Sequence, residues 1–298
     1  MNKQKNKEVN LAYGGKTKRQ PMFIQTFLRV FESPTAKIGG IIFLLMVILS
    51  VGAPLFTPYG IDQYDVTMIK ASPSLQHIFG CDQMGRDIWT RLLYGGRYSL
   101  ALGLCGSLAA AVGGSVLGLI AGYFGGKVDN LLMRFCDIWT AIPGMLLCII
   151  VSTALGSGFF NTVFALSIGI IPNNARMIRG QILQERTKEY LEAAEVINCK
   201  KSTIMFKHLL PNVISPTIVG TTMGIGGTIM QAATLSYIGL GVQPPTPEWG
   251  AMLTAGKSFI DSNPHMILFP GLFIAVFVLA VNLMGDGLRD AIDPKLRK

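Results

Sequence analysis

Six apolar stretches, at 36–56, 98–123, 131–155, 161–174, 213–238 and 266–284, decide what this chain can fold into. Crossing a hydrocarbon core of about 30 Å takes about 20 apolar residues in a helix. Most of the stretches reach that length; the fourth is short and can extend toward Met177. No water is available inside a bilayer, so such stretches must satisfy their backbone groups internally, as helices. The expectation is an all-α polytopic membrane protein with six transmembrane helices. Composition agrees, with 14% charged and 50% hydrophobic residues and a mean hydropathy of +0.45. A soluble domain carries about 25% charge, and a disordered chain carries more charge and less hydrophobicity. The first stretch lies behind a basic tail, is too long for a signal peptide and ends in no small-residue cleavage site, so it reads as an uncleaved span.

Orientation follows from the Lys and Arg residues. With the N-terminus inside, 21 of the 26 lie on the cytoplasmic side, including Lys3 to Lys37, the run Arg176 to Lys207, and Arg289 to Lys298. Only Lys70, Arg86, Arg91, Arg97 and Lys257 fall outside, the asymmetry that sets membrane topology. The net charge of +9 is thereby assigned to span ends and to a tail drawn to anionic lipid headgroups, not to nucleic acid. In the second span Gly114, Gly118, Gly122 and Gly126 recur at every fourth position, a flat stripe that lets a neighbouring backbone approach. Gly220 and Gly224 repeat the pattern more briefly in the fifth.

Residues that could do chemistry are scarce. The five cysteines form no CxxC pair, and Cys105 and Cys148 are expected to pack as small hydrophobes. His77, His208 and His265 are far apart and read as solvated or interfacial side chains, with no metal-ligand spacing. The stretch 250–258 ends in Gly-Lys-Ser but has five residues between its glycines, and 125–128 lacks the first Gly and the Ser/Thr. A P-loop cradles phosphate with backbone N–H groups at fixed geometry, so neither is a nucleotide site. Within the spans only Asp137, Gln231 and Asn282 are conspicuously polar. An ion-driven carrier usually keeps ionisable groups there despite a cost of about 2.5 kcal/mol or more each, so a stand-alone secondary transporter is disfavoured. At the outer face 243–247 is a Pro-broken loop, Trp249 is expected to anchor at the membrane interface, and Asp82, Arg86 and Asp87 form a salt-bridge cluster or meet a binding protein.

The segment 184–212 breaks the pattern. Tyr190, Ala193, Ala194 and Ile197 fall at i, i+3, i+4 and i+7, one apolar face of a helix. Asn198 can end that helix in a left-handed conformation. Ser202 or Thr203 can cap a second short helix reaching Leu210, and Pro211 punctuates the start of the fifth span. A projecting helix–turn–helix with an apolar face implies a docking element for a cytoplasmic partner.

Here the sequence resembles a known family. Glu192-Ala193-Ala194, the turn at Asn198, Ile204 and Leu210-Pro211 resemble the EAA signature of ABC importer permeases, with Asn198 where the family usually has Gly. The stretches 79–97, 235–253 and 282–295 resemble the C-type permease of the peptide/nickel group. The resemblance implies a type I (MetI-like) permease fold with a coupling helix. It divides the chain into a basic tail (1–35), a first span with its outer segment (36–97), the transmembrane domain (98–290) and a C-terminal tail (291–298). It implies that Tyr190, Glu192, Ala193, Ala194, Asn198, Ile204, Leu210 and Pro211 couple the chain to an ATPase. It implies as partners a B-type sister permease, two ABC ATPases that bind the ATP and Mg, and an extracytoplasmic binding protein. The chain itself would be no enzyme, bind no cofactor or metal, and sit in a prokaryotic inner membrane with both termini cytoplasmic. The implied cargo is a di- or oligopeptide, with nickel or another small solute as the alternative.

Overall fold

The computed structural model describes residues 33–292, so most of the two basic tails lies outside the described residues. The described chain is helical: α1 (Pro34–Val51), α2 (Ile88–Phe124), α3 (Gly126–Thr140), α4 (Gly144–Leu155), α5 (Phe159–Glu185), α6 (Glu189–Val196), α7 (Leu210–Tyr237), α8 (Trp249–Gly256) and α9 (His265–Ile292). Each apolar stretch lies in one of them or in a pair, except that the first runs on past α1 through Gly52 into a short helix Ala53–Phe56 and the fifth ends one residue beyond α7. Four helical runs are long and apolar enough to cross a membrane: α1, α2, the run Lys201–Tyr237 and α9. The stretch 131–155 is held in two helices, α3 and α4, that meet at 85°, the geometry of a broken span or a re-entrant loop. The short fourth stretch sits in the 27-residue α5 and continues through Pro172 toward the basic end.

α2 begins ten residues before its apolar stretch, because Asp87 caps it by accepting from Thr90 N at 2.7 Å. α2 and α5 form the most intimate pair, and glycine makes it so. A Cβ on Gly114 would stand 2.3 Å from Asn174 Cβ, one on Gly118 2.5 Å from Ala175 O, and one on Gly122 2.8 Å from Ile182 Cγ2. Three members of the predicted stripe therefore face one helix. Gly126 does not: α2 has ended at Phe124, and Gly126 has φ 52° with nothing within 4 Å of its would-be Cβ. Gly220 and Gly224 also differ from the expected stripe, since Gly220 would meet only Met177 at 3.6 Å and Gly224 nothing. α1 packs on α9 through Gly39 against Ala280 and Gly287 against Ala36.

The bundle has two differently built ends. At one, the segment 57–87 folds over the start of α2. At the other, α5, α6 and the run into α7 form a projecting hook. The apolar core near the first end gathers around Trp249, Phe277, Leu92, Ile88 and Ile229. A second core beneath the hook joins Leu119, Tyr123, Ile178 and Ile182 to Leu191, Ala194, Ile204, Met205 and Leu209.

Several expectations are corrected here. Trp249 is 1% exposed and donates its indole N–H to Leu92 O at 2.9 Å, so it is a core residue and not an interface anchor. His77 and His265 are buried, not solvated. Cys148 is buried as expected, but Cys105 is exposed on α2.

Candidate functional site

The hook is built from a short helix, a tight turn and a widened helical turn. α6 ends in a motif that reverses the chain: Asn198 has φ 54°, and Cys199 N donates to Ala194 O at 3.0 Å. This six-to-one bond around a left-handed residue is a Schellman cap, and Asn tolerates that conformation better than other non-glycine residues. Asn198→Gly is therefore expected to keep full activity. Asn198→Val adds a β-branched side chain at positive φ, at a cost of about 1–2 kcal/mol, and is expected to lower uptake and thermal stability in detergent. Equal behaviour of the two variants would show that the turn is not left-handed.

Beyond the turn, the expected separate second helix is absent. Neither Ser202 nor Thr203 caps it; Lys200 occupies the cap position without a side-chain bond. The backbone runs from Lys201 through a π-helical turn (Ile204–Leu209) directly into α7. Pro211 explains the widening. Its ring has no N–H to give and would strike the carbonyl one turn back, and a π turn absorbs that misfit.

The two faces of α6 are also not those expected. Leu191 and Ala194 are buried against Ile204, Met205 and Leu209, whereas Ala193 is exposed, Tyr190 is 38% exposed and Ile197 is 74% exposed. The stripe that packs inward is turned by roughly 80° from the predicted one, at about 100° per residue. Ala194 is thus an internal residue of the hook. The apolar groups left outward are Val196, Ile197 and Phe206. Phe206 was not legible in the sequence, because a π turn carries no helical period. Ile204 is buried, Leu210 is half-buried, and Glu192 and Pro211 are exposed.

A polar buckle closes the base of the hook. Tyr190 donates its hydroxyl to Glu185 Oε1 at 2.8 Å and accepts from Asn212 Nδ2 at 3.1 Å, while Lys188 pairs with Glu185 at 2.7 Å. Burial, then the bond to Glu185, pushes the Tyr190 phenol above its ordinary pKa. Arg186 ties the same base to α2 through Gly122 O at 3.1 Å. The ends of α5, α6 and α7 are thus tied together at the base of the hook.

The opposite end is latched. Arg86 pairs with Asp82 at 2.7 Å, and Arg91 lies 3.7 Å from the same carboxylate while donating to Pro245 O at 3.1 Å. Asp87 stands apart from this pair, accepting from Thr90 and bonding His77 Nδ1 at 2.9 Å. Glu248, 2% exposed, accepts from Ser99 Oγ at 3.1 Å and from Gly250 and Ala251 N at 2.9 and 2.8 Å. It thereby caps α8 and ties it to α2. Burial raises the Glu248 pKa, and its hydrogen bonds offset this only in part. A raised carboxyl pKa means the folded state holds the proton longer, so stability is fullest below the ordinary carboxyl pKa and falls as pH rises toward the raised value. The melting temperature is expected to decline across that window, and Glu248→Gln to flatten the decline. An unchanged pH profile in the variant would remove Glu248 as its source.

Comparisons with known proteins agree with this architecture. Residues 114–298 match the family described as the binding-protein-dependent transport system inner membrane component. Residues 22–73 match the N-terminal TM domain of oligopeptide transport permease C. The chain is 43% identical over 270 residues to a glutathione transport system permease protein of Pectobacterium atrosepticum, covering 90% of each. It is 40% identical over 273 residues to a dipeptide transport system permease protein of Alkalihalophilus pseudofirmus, covering 92% of this chain and 90% of the relative. Among solved structures, an inward-facing MetNI methionine ABC transporter chain superposes with TM-score 0.56 at 19% identity, over 69% of this chain and 98% of that one. That likeness establishes a shared fold.

Proposed function

The chain belongs to the family of binding-protein-dependent transport system inner membrane components, and from that premise we propose how it works. It forms one half of a peptide pathway, paired with a B-type sister permease. Two ABC ATPases, which bind the ATP and Mg, seat on the hooks of the two permeases. An extracytoplasmic binding protein delivers the peptide to the latched end. In this reading the hook, both termini and the basic run Arg176 to Lys207 face the cytoplasm, and the Lys and Arg asymmetry supports it. Relatives named for dipeptide and glutathione transport, at 40% and 43% identity, support short peptides as cargo.

The observation that carries this reading is the build of the hook. Its inner face is spent on its own chain, its base is buckled to three helices, and it leaves Val196, Ile197 and Phe206 outward. Such a body transmits a push on its tip to α5 and α7 as rigid-body motion, the mode by which two halves rock between outward and inward access. This chain provides no catalytic group in that scheme; it converts ATPase closure into helix movement.

Purification of the tagged chain from its own membranes in mild detergent tests the assembly. The expected result is recovery of a second permease and P-loop ATPases, and ATP-dependent peptide uptake once the binding protein is added in vesicles. A chain recovered alone that moved solute without ATP would instead be a stand-alone carrier.

A further inference from the structure

The latched end encloses a cavity of about 270 Å³, set between residues 82–91, the loop 243–247, α8 and the start of α9. Part of its lining is apolar, from Ile88, Ala251, Met252, Ala255 and Met266. The rest is polar, from Asp82, Gln83, Arg86, Arg91 and Thr246. Met84 and Pro244 also line it and are exposed, which marks its mouth. The charges around it do not balance. Asp82, Arg86 and Arg91 are all buried, so two guanidiniums share one carboxylate. That carboxylate is already crowded, accepting from Met84 N, Arg86 N and Arg86 Nε at 2.8, 3.0 and 2.8 Å. Arg86 spends Nε and Nη2 on it, and its Nη1 has no hydrogen-bond or ion-pair partner among the described residues. Asp62 comes within 3.6 Å of Arg91, but its side chain is 62% exposed, and a solvated ion pair is worth little.

A buried charge without its counter-charge is costly, so this cavity suits an anion. Gln83 adds to it: its Oε1 is buried with no partner among the described residues, and turning the amide presents N–H donors in the same place. The methionines suit a guest of irregular shape, because their unbranched side chains adapt. On the reading that a binding protein meets the latched end, we propose that this cavity is the socket for one acidic side chain of that protein. The incoming carboxylate bonds Arg86 Nη1 and the Gln83 amide, and its methylenes lie along Ile88, Met252 and Met266. Two observations favour a side chain over the cargo itself. The volume falls below the about 300–1,000 Å³ of sites for free small molecules. A peptide also brings an ammonium, and Asp82, the carboxylate in the lining, is already engaged by Met84 and Arg86.

The complete transporter in lipid nanodiscs, with the binding protein recovered alongside it, provides the test. Thr246→Glu supplies a carboxylate to the cavity from within this chain and so fills the socket. It is expected to weaken binding of the dialanine-loaded binding protein about tenfold or more, while the isolated chain melts no lower than the parent. Thr246→Gln, of the same size without the charge, is expected to bind within about twofold of the parent. Neutralising the binding protein's own Asp and Glu residues singly should reveal one whose loss costs about tenfold on the parent transporter and nothing further on the Thr246→Glu transporter. Independent sites show no such coupling. Equal weakening by Thr246→Glu and Thr246→Gln, or the lack of any coupled carboxylate, would overturn the proposal. Free dialanine that raised the melting temperature of the parent chain but not of the Thr246→Glu chain would give the cavity to the cargo and overturn it too. A parent transporter that bound no binding protein and hydrolysed no ATP would overturn the importer reading instead.

Discussion

Ile197→Asp is expected to reduce ATP-driven uptake by about thirtyfold while the protein inserts, folds and accumulates normally. Ile197 is 74% exposed one residue before the left-handed turn, so a carboxylate there meets water in the free chain and disturbs no packing. Seated in a partner groove, the same carboxylate would be desolvated without a counter-charge. Losing an interface anchor costs about 2 kcal/mol or more, and 1.4 kcal/mol is tenfold, which yields the stated factor. Ala194→Arg is expected to abolish uptake, but by another route. Ala194 is 8% exposed and packs with Leu191, Ile204 and Leu209, so arginine overfills the hook and buries a charge. Overpacking alone costs about 1–3 kcal/mol. Size-exclusion profiles in detergent separate the two, because Ile197→Asp stays monodisperse and Ala194→Arg loses folded material. Wild-type uptake by Ile197→Asp would remove the hook tip from the docking surface.

That contrast also marks how far the sequence alone could be read. The all-helical class and most of the apolar helices follow from stretch length, because the bilayer allows few other solutions. The turn at Asn198 was legible because one residue type at a helix end carries a backbone preference. Which face of α6 packs inward was not legible. Its apolar residues Leu191, Ala193, Ala194, Val196 and Ile197 occupy most of the circumference, so periodicity does not choose among them and only the neighbours across the hook do. Trp249 misleads for a related reason. Tryptophan in an outer segment is typical of an interface, but here Leu92 O lies where it satisfies the indole N–H inside the core.

The glycines set the second large effect, in α2 against α5. Gly118→Leu is expected to cost about 3 kcal/mol or more, the upper range for overpacking, since its Cβ alone would stand 2.5 Å from Ala175 O and 2.8 Å from Ile178 Cβ. Backbone oxygen cannot rotate away, so the two helices must part, and the contacts of Leu119, Ile178 and Ile182 part with them. For a chain of this size 1 kcal/mol moves the melting temperature by about 2–4 °C, which predicts a fall of about 6–12 °C in detergent. Gly224→Ala makes the opposite prediction. It lies in α7 with nothing within 4 Å of its would-be Cβ, and alanine is the better helix former by about 1 kcal/mol. The isolated chain carrying Gly224→Ala should melt no lower than the parent. Membrane helices associate through just such small residues, so the assembled complex supplies a further reading of the same variant. If Gly224→Ala leaves the isolated chain intact but prevents recovery of the sister permease, that face of α7 is the contact between the two halves. If assembly is also unaffected, the spacing of Gly220 and Gly224 has no packing role.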